Sequence, residues 1–482
     1  MWDMKNHRKY ICLGIFLVIF LFIRHQYQLS LLETDEGSYA YIAQEILHGK
    51  LPYVDFFDHK PIMVYLIYTL TLLIFGLTNT YAIKLTSTIA IIITVFFLYK
   101  IVQKQSGKYL AIATSTLYLV STCTPYIQYS TANTEVYMTM FIVIALYFTL
   151  IDELRIKNPI LCGLLIGIAT LTKTTALANF IAIIVYLVIK SRKVPFVFIL
   201  TVLITITIPS IYYFINGHLA EYIFANFTYN SEYTDKLLFP NRIINFPLEI
   251  ILENPFIWIV GIISTFRYFN KQTNHYQLLN ILNLIFSLLL IQFIGRGSPH
   301  YYIQTIPFLC ILAGDLIYRT KSQNSLYIIT KSFFISSLIF SVVLTLLVTT
   351  KPKFMLQNIY LSYGRGEWYA QSYQLAKKLK SYIKPGDYVY NLGRESQLLF
   401  YLQARSSSKY YYDRVYWLYP ETINRICQDL LTNKPKVIIN TLTPPYFDPT
   451  MGSILWEKIS KCTNINVQNK MNMDFAEIWF VK

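Results

Sequence analysis

The sequence predicts an α-helical polytopic membrane protein with about eleven spans plus interfacial helices, followed by a small C-terminal α/β domain outside the cytoplasmic membrane. First, 54% of the 482 residues are hydrophobic and the mean hydropathy is +0.41, which exceeds the values of soluble globular proteins. Second, apolar runs recur through the first 350 residues. Third, lysine and arginine cluster between these runs, as they do in the cytoplasmic loops of membrane proteins.

The apolar runs determine the predicted number of crossings. They cover residues 10–29, 61–77, 81–102, 108–125, 135–151, 159–173, 176–190, 196–214, 254–269, 276–294, 301–318 and 332–350. If all twelve crossed, the "KSRK" loop at 190–193 would face outward, against the usual distribution of basic residues. If the run 61–77 only dips into the outer half of the bilayer, the basic clusters all become cytoplasmic; they lie at 100–108, 155–157, 190–193, 267–271 and 319–331. We therefore predict eleven crossings.

The positive charge of the chain follows from this topology. The formal net charge is +16, which in a soluble protein would point to nucleic acid. Here the cytoplasmic loops account for most of it, so the expected partners include membrane lipids and exclude nucleic acid. The same topology gathers most of the remaining polar residues on the outer face of the membrane.

The tail has a different composition. After a membrane domain at 1–350, residues 351–482 contain an amphipathic helix, "GRGEWYAQSYQLAKKLKSYI", a "KPGD" turn and a "YVYNLG" strand, and the order of helix, turn and strand then repeats. This alternation predicts a small α/β domain, which an odd number of spans places outside. The tail also holds Cys427 and Cys462. Two reduced thiols are the simpler interpretation, and a disulfide on an oxidising face is the alternative.

An acidic stretch follows the first apolar run. "ETDEGSYAYIAQEILHGK" spans Glu33 to Lys50, and its pattern predicts an interfacial helix with Thr34 as N-cap and Gly49 as the stop. Asp35 and Glu36 would lie in the first turn, where carboxylates complement the helix dipole. Capping alone is one explanation for this pair, and chemistry is the other.

Further charged residues on the predicted outer face favour chemistry. They are Asp58, His59 and Lys60 in "DHKP", Glu135, Lys173, Arg296 and His300. A lysine at the depth of Lys173 normally faces a polar cavity or a partner, whereas Lys60 also fits an interfacial anchor and His300 a satisfied interfacial histidine. Together the set supplies a carboxylate base for an acceptor and cations for a phosphate.

At these residues the sequence resembles the GT-C class of polyprenyl-phosphate-dependent glycosyltransferases, especially protein O-mannosyltransferases and lipid A aminoarabinose transferases. The matching pieces are "TDEGSYAYIA", "GKLPYVDFFDHKPI", "YSTANTEVYM", "GLLIGIATLTKTTAL" and "GRGSPHYYIQTIPF", in that order over most of the first 320 residues. The acidic pair alone is a weak signal. Its combination with an acid followed closely by Lys-Pro is much more specific.

The resemblance implies roles for these residues. Asp35 would be the catalytic base and Glu36 its companion, and Lys60 and Arg296 would hold the donor phosphate, with Lys173 a weaker candidate. Asp58, Glu135 and His300 would complete the substrate-binding set. His59 separates Asp58 from Lys60, whereas some relatives place there an acid that binds metal. The need for a divalent cation therefore stays open, and no other cofactor is implied.

The implied reaction moves a sugar from a polyprenyl-phosphate donor to a hydroxyl or amine of a glycan, lipid or protein at the outer face of the cytoplasmic membrane, with inversion. Two alternatives remain at this point. A transporter or flippase would place its charges near the bilayer midplane and show internal repeats, and the sequence has no evident repeat. A polymerase or ligase using pyrophosphate-linked glycans would share the cations.

The topology can be tested directly. A reporter tag after Lys482 should give an extracytoplasmic signal, because eleven crossings place the two termini on opposite sides of the membrane. The same tag inserted at 190–193 is the control and should report the cytoplasm. A cytoplasmic signal from the C-terminal tag would mean that residues 61–77 cross fully.

Overall fold

A computed structural model describes most of the chain. The described residues are 4–124, 127, 130–151, 157–191, 195–234, 248–268, 275–294, 298–320, 324–349, 366–412, 414–441, 450–473 and 476–482. Their α-helices are α1 Met4–Gln28, α2 Thr34–Leu47, α3 Met63–Phe75, α4 Thr80–Ser106, α5 Lys108–Ser121, α6 Thr134–Ile151, α7 Lys157–Thr172, α8 Leu177–Ser191, α9 Phe196–Ile215, α10 Leu219–Ile223, α11 Tyr229–Thr234, α12 Glu249–Glu253, α13 Pro255–Tyr268, α14 His275–Ile294, α15 Ile306–Thr320, α16 Asn324–Thr349, α17 Gly366–Leu379, α18 Gln397–Leu402, α19 Arg414–Leu418, α20 Thr422–Thr432 and α21 Thr450–Thr463. Two 3₁₀ turns cover Thr174–Ala176 and Pro299–Thr305, and a π turn covers Phe224–Thr228. The strands are β1 Tyr388–Asn391, β2 Arg405–Ser406, β3 Val437–Asn440, β4 Val467–Met473 and β5 Ala476–Val481.

The chain divides into two compact units. The first unit comprises Met1–Leu29, Lys84–Tyr212 and Thr234–Met355, and the second comprises Ser30–Ile83, Tyr213–Tyr233 and Leu356–Lys482. The second unit therefore contains the acidic helix α2 together with the tail. The predicted boundary at residue 350, between a membrane domain and an outer domain, stays a prediction.

Apolar helices dominate the first unit. Within the described residues, four helices have the length and composition of membrane spans: Thr80–Ser106, Phe196–Ile215, His275–Ile294 and Pro299–Tyr318. Shorter apolar helices include Thr134–Leu150 and Pro255–Arg267. The helical membrane architecture is as expected, and the count of eleven crossings stays a prediction. Helix α3, in the second unit, has only 13 residues, fewer than the roughly 20 that cross a hydrocarbon core.

Small residues allow close helix packing in the first unit. A Cβ added at Gly163 or Gly167 of α7 would overlap Thr201 or Thr205 of α9. In lipid, where no hydrophobic force drives helices together, such contacts let backbones approach and gain van der Waals energy. Glycine at these two positions therefore sets the distance between α7 and α9.

A five-stranded mixed sheet forms the core of the tail. The strand order is β2-β1-β3-β5-β4; β1 pairs in parallel with β2 and β3, and β5 is antiparallel to both β3 and β4. The amphipathic helix and the first strand occur where the sequence pattern placed them. Ile426 and Leu430 lie one turn apart on α20 and pack with Ile438 of β3 in a hydrophobic core cluster of the tail.

The two tail cysteines are joined. Cys427 of α20 and Cys462 of α21 form a disulfide with a Cα–Cα distance of 6.0 Å. The interpretation as two reduced thiols is therefore wrong. Helices α20 and α21 pack against each other, and this contact brings together two residues 35 positions apart, which the local sequence pattern does not show.

The disulfide can be tested by counting the cysteine thiols that react before and after reduction. With a maleimide that adds mass to each thiol, applied to the denatured protein, four of the six cysteines should react without reductant and all six after reduction. The Cys427→Ser/Cys462→Ser variant should give the same four with and without reductant. Six labels on the unreduced wild-type protein would contradict the pairing.

Candidate functional site

The first turn of α2 separates the roles of its two acids. The N-cap is Glu33 rather than the predicted Thr34, and Glu33 and Glu36 form a reciprocal capping box: the Glu33 backbone N–H donates to Glu36 Oε2 at 3.0 Å. Thr34 fails as N-cap because it already occupies the first helical position. Glu36 is fully buried, whereas Asp35 is half-buried. Asp35 is therefore the acid of this pair that a substrate can reach.

The tail supports the start of α2. Ser396 Oγ donates to the Thr34 carbonyl at 2.9 Å, and Gly37 packs so closely on Gln397 that a Cβ at residue 37 would overlap its side chain and backbone. Helix α2 also packs on α18. The position of the acidic turn thus depends on residues some 360 positions further along the chain.

A strained residue anchors the segment that carries Lys60. Tyr53 has φ 66°, in the left-handed region, which is costly for a bulky side chain. Its hydroxyl donates to the Lys60 carbonyl at 2.7 Å, and its buried ring packs against Tyr65, Tyr213 and Tyr222. These contacts hold a conformation that isolated peptides avoid, and they fix the backbone of Lys60.

Asp58 is a buried, ionised carboxylate. It accepts hydrogen bonds from Ser38 Oγ at 3.2 Å and from the His59 backbone N–H at 2.7 Å, and His59 Nδ1 lies 3.2 Å from Oδ1. Burial by itself raises the pKa of Asp58, but the positive charge of Lys60 and the bonds from His59 outweigh it and hold the pKa below its ordinary value.

His59 connects Asp58 to Lys60. Burial, together with the Lys60 ammonium, lowers the pKa of His59 to about 4, against the opposing charges of Asp58 and Asp35. The imidazole is therefore neutral at pH 7. Lys60 Nζ lies 3.3 Å from His59 Nε2 and 5.8 Å from the Tyr39 ring centroid. With Nδ1 beside Asp58, Nε2 is the nitrogen that accepts from the ammonium.

A second charged cluster lies in the first unit. The Lys173 ammonium contacts Glu135 Oε1 and sits 3.6 Å from the Tyr301 ring centroid. His300 Nε2 is 3.6 Å from the same carboxylate oxygen, and Thr134 Oγ1 donates to Glu135 Oε2 at 2.9 Å. Glu135 is 1% exposed. Glu135 is therefore the partner that we expected for a lysine at the depth of Lys173.

Buried amides tie this cluster together. Gln304 Nε2 donates to the Thr175 carbonyl at 3.0 Å and to Asn179 Oδ1 at 2.5 Å, and Asn179 Nδ2 donates to Asn283 Oδ1 at 2.8 Å. The network joins the 3₁₀ turn after Lys173 to the one that carries His300. Sequence reasoning missed these residues, although amides inside apolar runs were the available signal.

The predicted site residues thus fall into two groups. Asp35, Glu36, Asp58 and Lys60 come together in the second unit, and Glu135, Lys173 and His300 come together in the first. Arg296 lies outside the described residues. Ser38 and Tyr411, which contact the first group, were not singled out, because neither residue type is distinctive in its sequence context.

The described residues contain no preassembled cluster of metal ligands. No group of three or more His, Cys, Asp and Glu side chains in the described part of the chain is arranged to hold a metal. At "DHKP" the Lys60 ammonium lies 3.3 Å from His59 Nε2, the ring nitrogen that faces away from Asp58.

Comparisons with known proteins agree with this architecture. Residues 59–213 match the family model described as dolichyl-phosphate-mannose-protein mannosyltransferase. The structure is similar to ArnT from Cupriavidus metallidurans in the apo state, with TM-score 0.64, 13% identity and 97% of each chain covered. The structure of the same protein bound to undecaprenyl phosphate gives TM-score 0.63, again with 13% identity and 97% coverage of each chain.

A further similar structure is the archaeal oligosaccharyltransferase AglB from Archaeoglobus fulgidus, in complex with an inhibitory peptide and a dolichol-phosphate. It has TM-score 0.51 and 12% identity, over 96% of this chain and 72% of that one. No curated protein matches the chain. At these identities the likeness to solved structures establishes the fold. With the family match it confirms the resemblance, predicted from the sequence, to polyprenyl-phosphate-dependent glycosyltransferases of the GT-C class.

Proposed function

We propose that this glycosyltransferase moves a sugar from a polyprenyl-phosphate donor to a hydroxyl or amine of a glycan, lipid or protein at the outer face of the cytoplasmic membrane. The donor class is supported by the description of the matching family, which names dolichyl-phosphate-mannose. It is also supported by the lipid phosphates bound to ArnT and AglB.

One observation carries the proposal. Within the second unit, an accessible carboxylate and an ammonium lie near the same histidine. The charge of Asp35 acts on His59, and His59 Nε2 lies 3.3 Å from Lys60 Nζ. A base for the acceptor and a cation for the leaving phosphate are the two groups that this transfer requires.

The proposed step is a single in-line displacement. Asp35 takes the proton of the acceptor O–H or N–H as the acceptor atom forms its bond to the anomeric carbon. The bond from that carbon to the phosphate oxygen breaks, and the lipid phosphate leaves with the electron pair. Lys60 stabilises the charge that develops on this oxygen, so no separate general acid is needed. The anomeric configuration inverts.

Glu36 and Asp58 have supporting roles in this proposal. Glu36 is engaged in the capping box, and Asp58 is buried between Ser38 and His59. Neither carboxylate offers the accessibility of Asp35. Glu36 holds the first turn of α2, and Asp58 orients the histidine that faces Lys60.

The substrate-binding roles of Glu135, Lys173 and His300 stay predictions. Because the Lys173 ammonium contacts Glu135, a donor phosphate would compete with a buried carboxylate for it. Removing Lys173 alone would leave that buried carboxylate without its ammonium partner, at a cost of about 3–5 kcal/mol. Loss of activity in such a variant would not separate binding from folding.

The outer location rests on two independent features. The predicted loop topology places the tail outside, and the disulfide of Cys427 and Cys462 is of a kind that persists in oxidising compartments. The site in the second unit would then face the side on which the tail folds.

Replacing Asp35 tests the base. Asp35→Asn keeps the size of the side chain and the start of the helix but cannot accept the acceptor proton, so turnover should fall about 100-fold or more while donor binding persists. Glu36→Gln should cost less, since glutamine also completes a capping box. Asp55→Asn is the matched control, because Asp55 is an exposed acid of the same unit. A folded Asp35→Asn enzyme with full turnover would leave the acidic pair explained by capping alone.

Replacing Lys60 tests the cation. Lys60→Ala removes a charge-assisted contact worth about 1.5–3 kcal/mol, so the apparent KM for the lipid donor should rise about 10- to 100-fold. Arg296→Ala should act in the same direction. Lys50→Ala, at an exposed lysine of the same unit, should leave donor KM unchanged. Unaltered donor affinity in both test variants would remove the phosphate-binding assignment.

A further inference from the structure

Tyr411 of the tail reaches the group of residues around Lys60. It follows β2 in the chain, and its side chain is fully buried. Its ring lies edge-on to Tyr41 of α2, with centroids 5.1 Å apart. Its hydroxyl is bonded to the Ser38 hydroxyl at 2.5 Å, across 373 residues of sequence.

The direction of this hydrogen bond follows from its neighbours. Ser38 has one hydroxyl proton, and it donates to Asp58 Oδ2 at 3.2 Å, because an ionised carboxylate can only accept. The Tyr411 hydroxyl must then be the donor to Ser38. Burial raises the pKa of Tyr411 well above its ordinary value, so the hydroxyl keeps its proton at neutral pH. The bonds therefore run in one direction, from Tyr411 to Ser38 to Asp58.

The same chain of contacts continues to Lys60. Asp58 accepts from the His59 backbone N–H at 2.7 Å and faces His59 Nδ1 at 3.2 Å. Those two contacts leave Nε2 directed at Lys60 Nζ, 3.3 Å away. The rotation of the imidazole thus sets where the ammonium lies, and the carboxylate sets the rotation of the imidazole.

We propose that Tyr411 is a positioning residue for donor binding: through Ser38, Asp58 and His59 it fixes the Lys60 ammonium that receives the lipid phosphate. The inference deepens the proposed function and rests on it for the role of Lys60. It also gives the tail a role in donor binding, in addition to any role in acceptor binding.

The hydroxyl can be separated from the ring. Tyr411→Phe removes one oxygen atom and keeps the edge-on contact with Tyr41, so packing is preserved. Ser38→Ala breaks the same chain of hydrogen bonds at the next link. Tyr410→Phe makes the identical chemical change one residue away, where the ring packs on Phe57 with centroids 5.7 Å apart, and it is the matched control.

The first experiment measures the reactivity of the Lys60 amine and does not require enzyme turnover. Purified full-length protein is treated with a limiting amine-reactive ester, and the ratio of Lys60 to Lys50 labelling is measured by mass spectrometry. Loss of a hydrogen bond that restrains the ammonium should raise this ratio about threefold or more in Tyr411→Phe and in Ser38→Ala. Tyr410→Phe should match the wild-type protein. A wild-type ratio in Tyr411→Phe would overturn the proposal, whatever the enzyme's donor proves to be.

The second experiment measures kinetics with a polyprenyl-phosphate sugar as donor. Tyr411→Phe should raise the donor KM about three- to tenfold with an unchanged melting temperature. The Tyr411→Phe/Ser38→Ala double variant should be no worse than Ser38→Ala, because both changes break one chain. If the increases in donor KM of the two single variants add in the double variant and the melting temperature falls with them, Tyr411 has a purely structural role. Absence of turnover in the wild-type protein would count against the proposed function and leave the labelling result standing.

Discussion

The hydrogen bond from Ser38 to Asp58 is the contact on which the site in the second unit depends. A carboxylate buried without donors costs several kcal/mol, and Asp58 is kept ionised by the positive charge of Lys60 and by the hydrogen bonds that Ser38 and the His59 backbone N–H donate to it. Asp35 lies three residues before Ser38, on the same face of α2, and Lys60 lies two residues after Asp58. The hydrogen bond from Ser38 to Asp58 therefore sets the spacing between the base and the cation.

The buried polar groups of the first unit are also paired, in a more apolar environment. Glu135 and Lys173 are buried against each other, and the amides of Asn179, Asn283 and Gln304 are joined by hydrogen bonds. In a bilayer, where water does not replace a missing partner, such groups are tolerated only when paired. The cost of breaking these pairs explains why the polar residues of an apolar chain occur in clusters.

Much of the fold and of the candidate site could be predicted from local sequence patterns. The interfacial helix after the first run, the short apolar helix that follows it, and the order of helix and strand in the tail each depend on residues within a few turns of one another. The motif order led to the GT-C class because each motif is local. The N-cap was wrong by one residue because Glu33 and Thr34 both fit the sequence pattern, and only the reciprocal bond with Glu36 distinguishes them. The cysteine pairing, the Tyr411 contact and the partner of Lys173 join distant residues, and no local periodicity encodes them.

In the proposed reaction the leaving group is a lipid phosphate, displaced in one inverting step. The most direct measurement supplies the purified protein, reconstituted in lipid, with a polyprenyl-phosphate sugar of known anomeric configuration and an acceptor extract. Released polyprenyl phosphate is quantified, and the configuration of the new glycosidic bond is determined by NMR. Release of lipid phosphate in proportion to product, with inverted configuration, is the predicted result. Translocation of the intact donor without release, or a product with retained configuration, would contradict it.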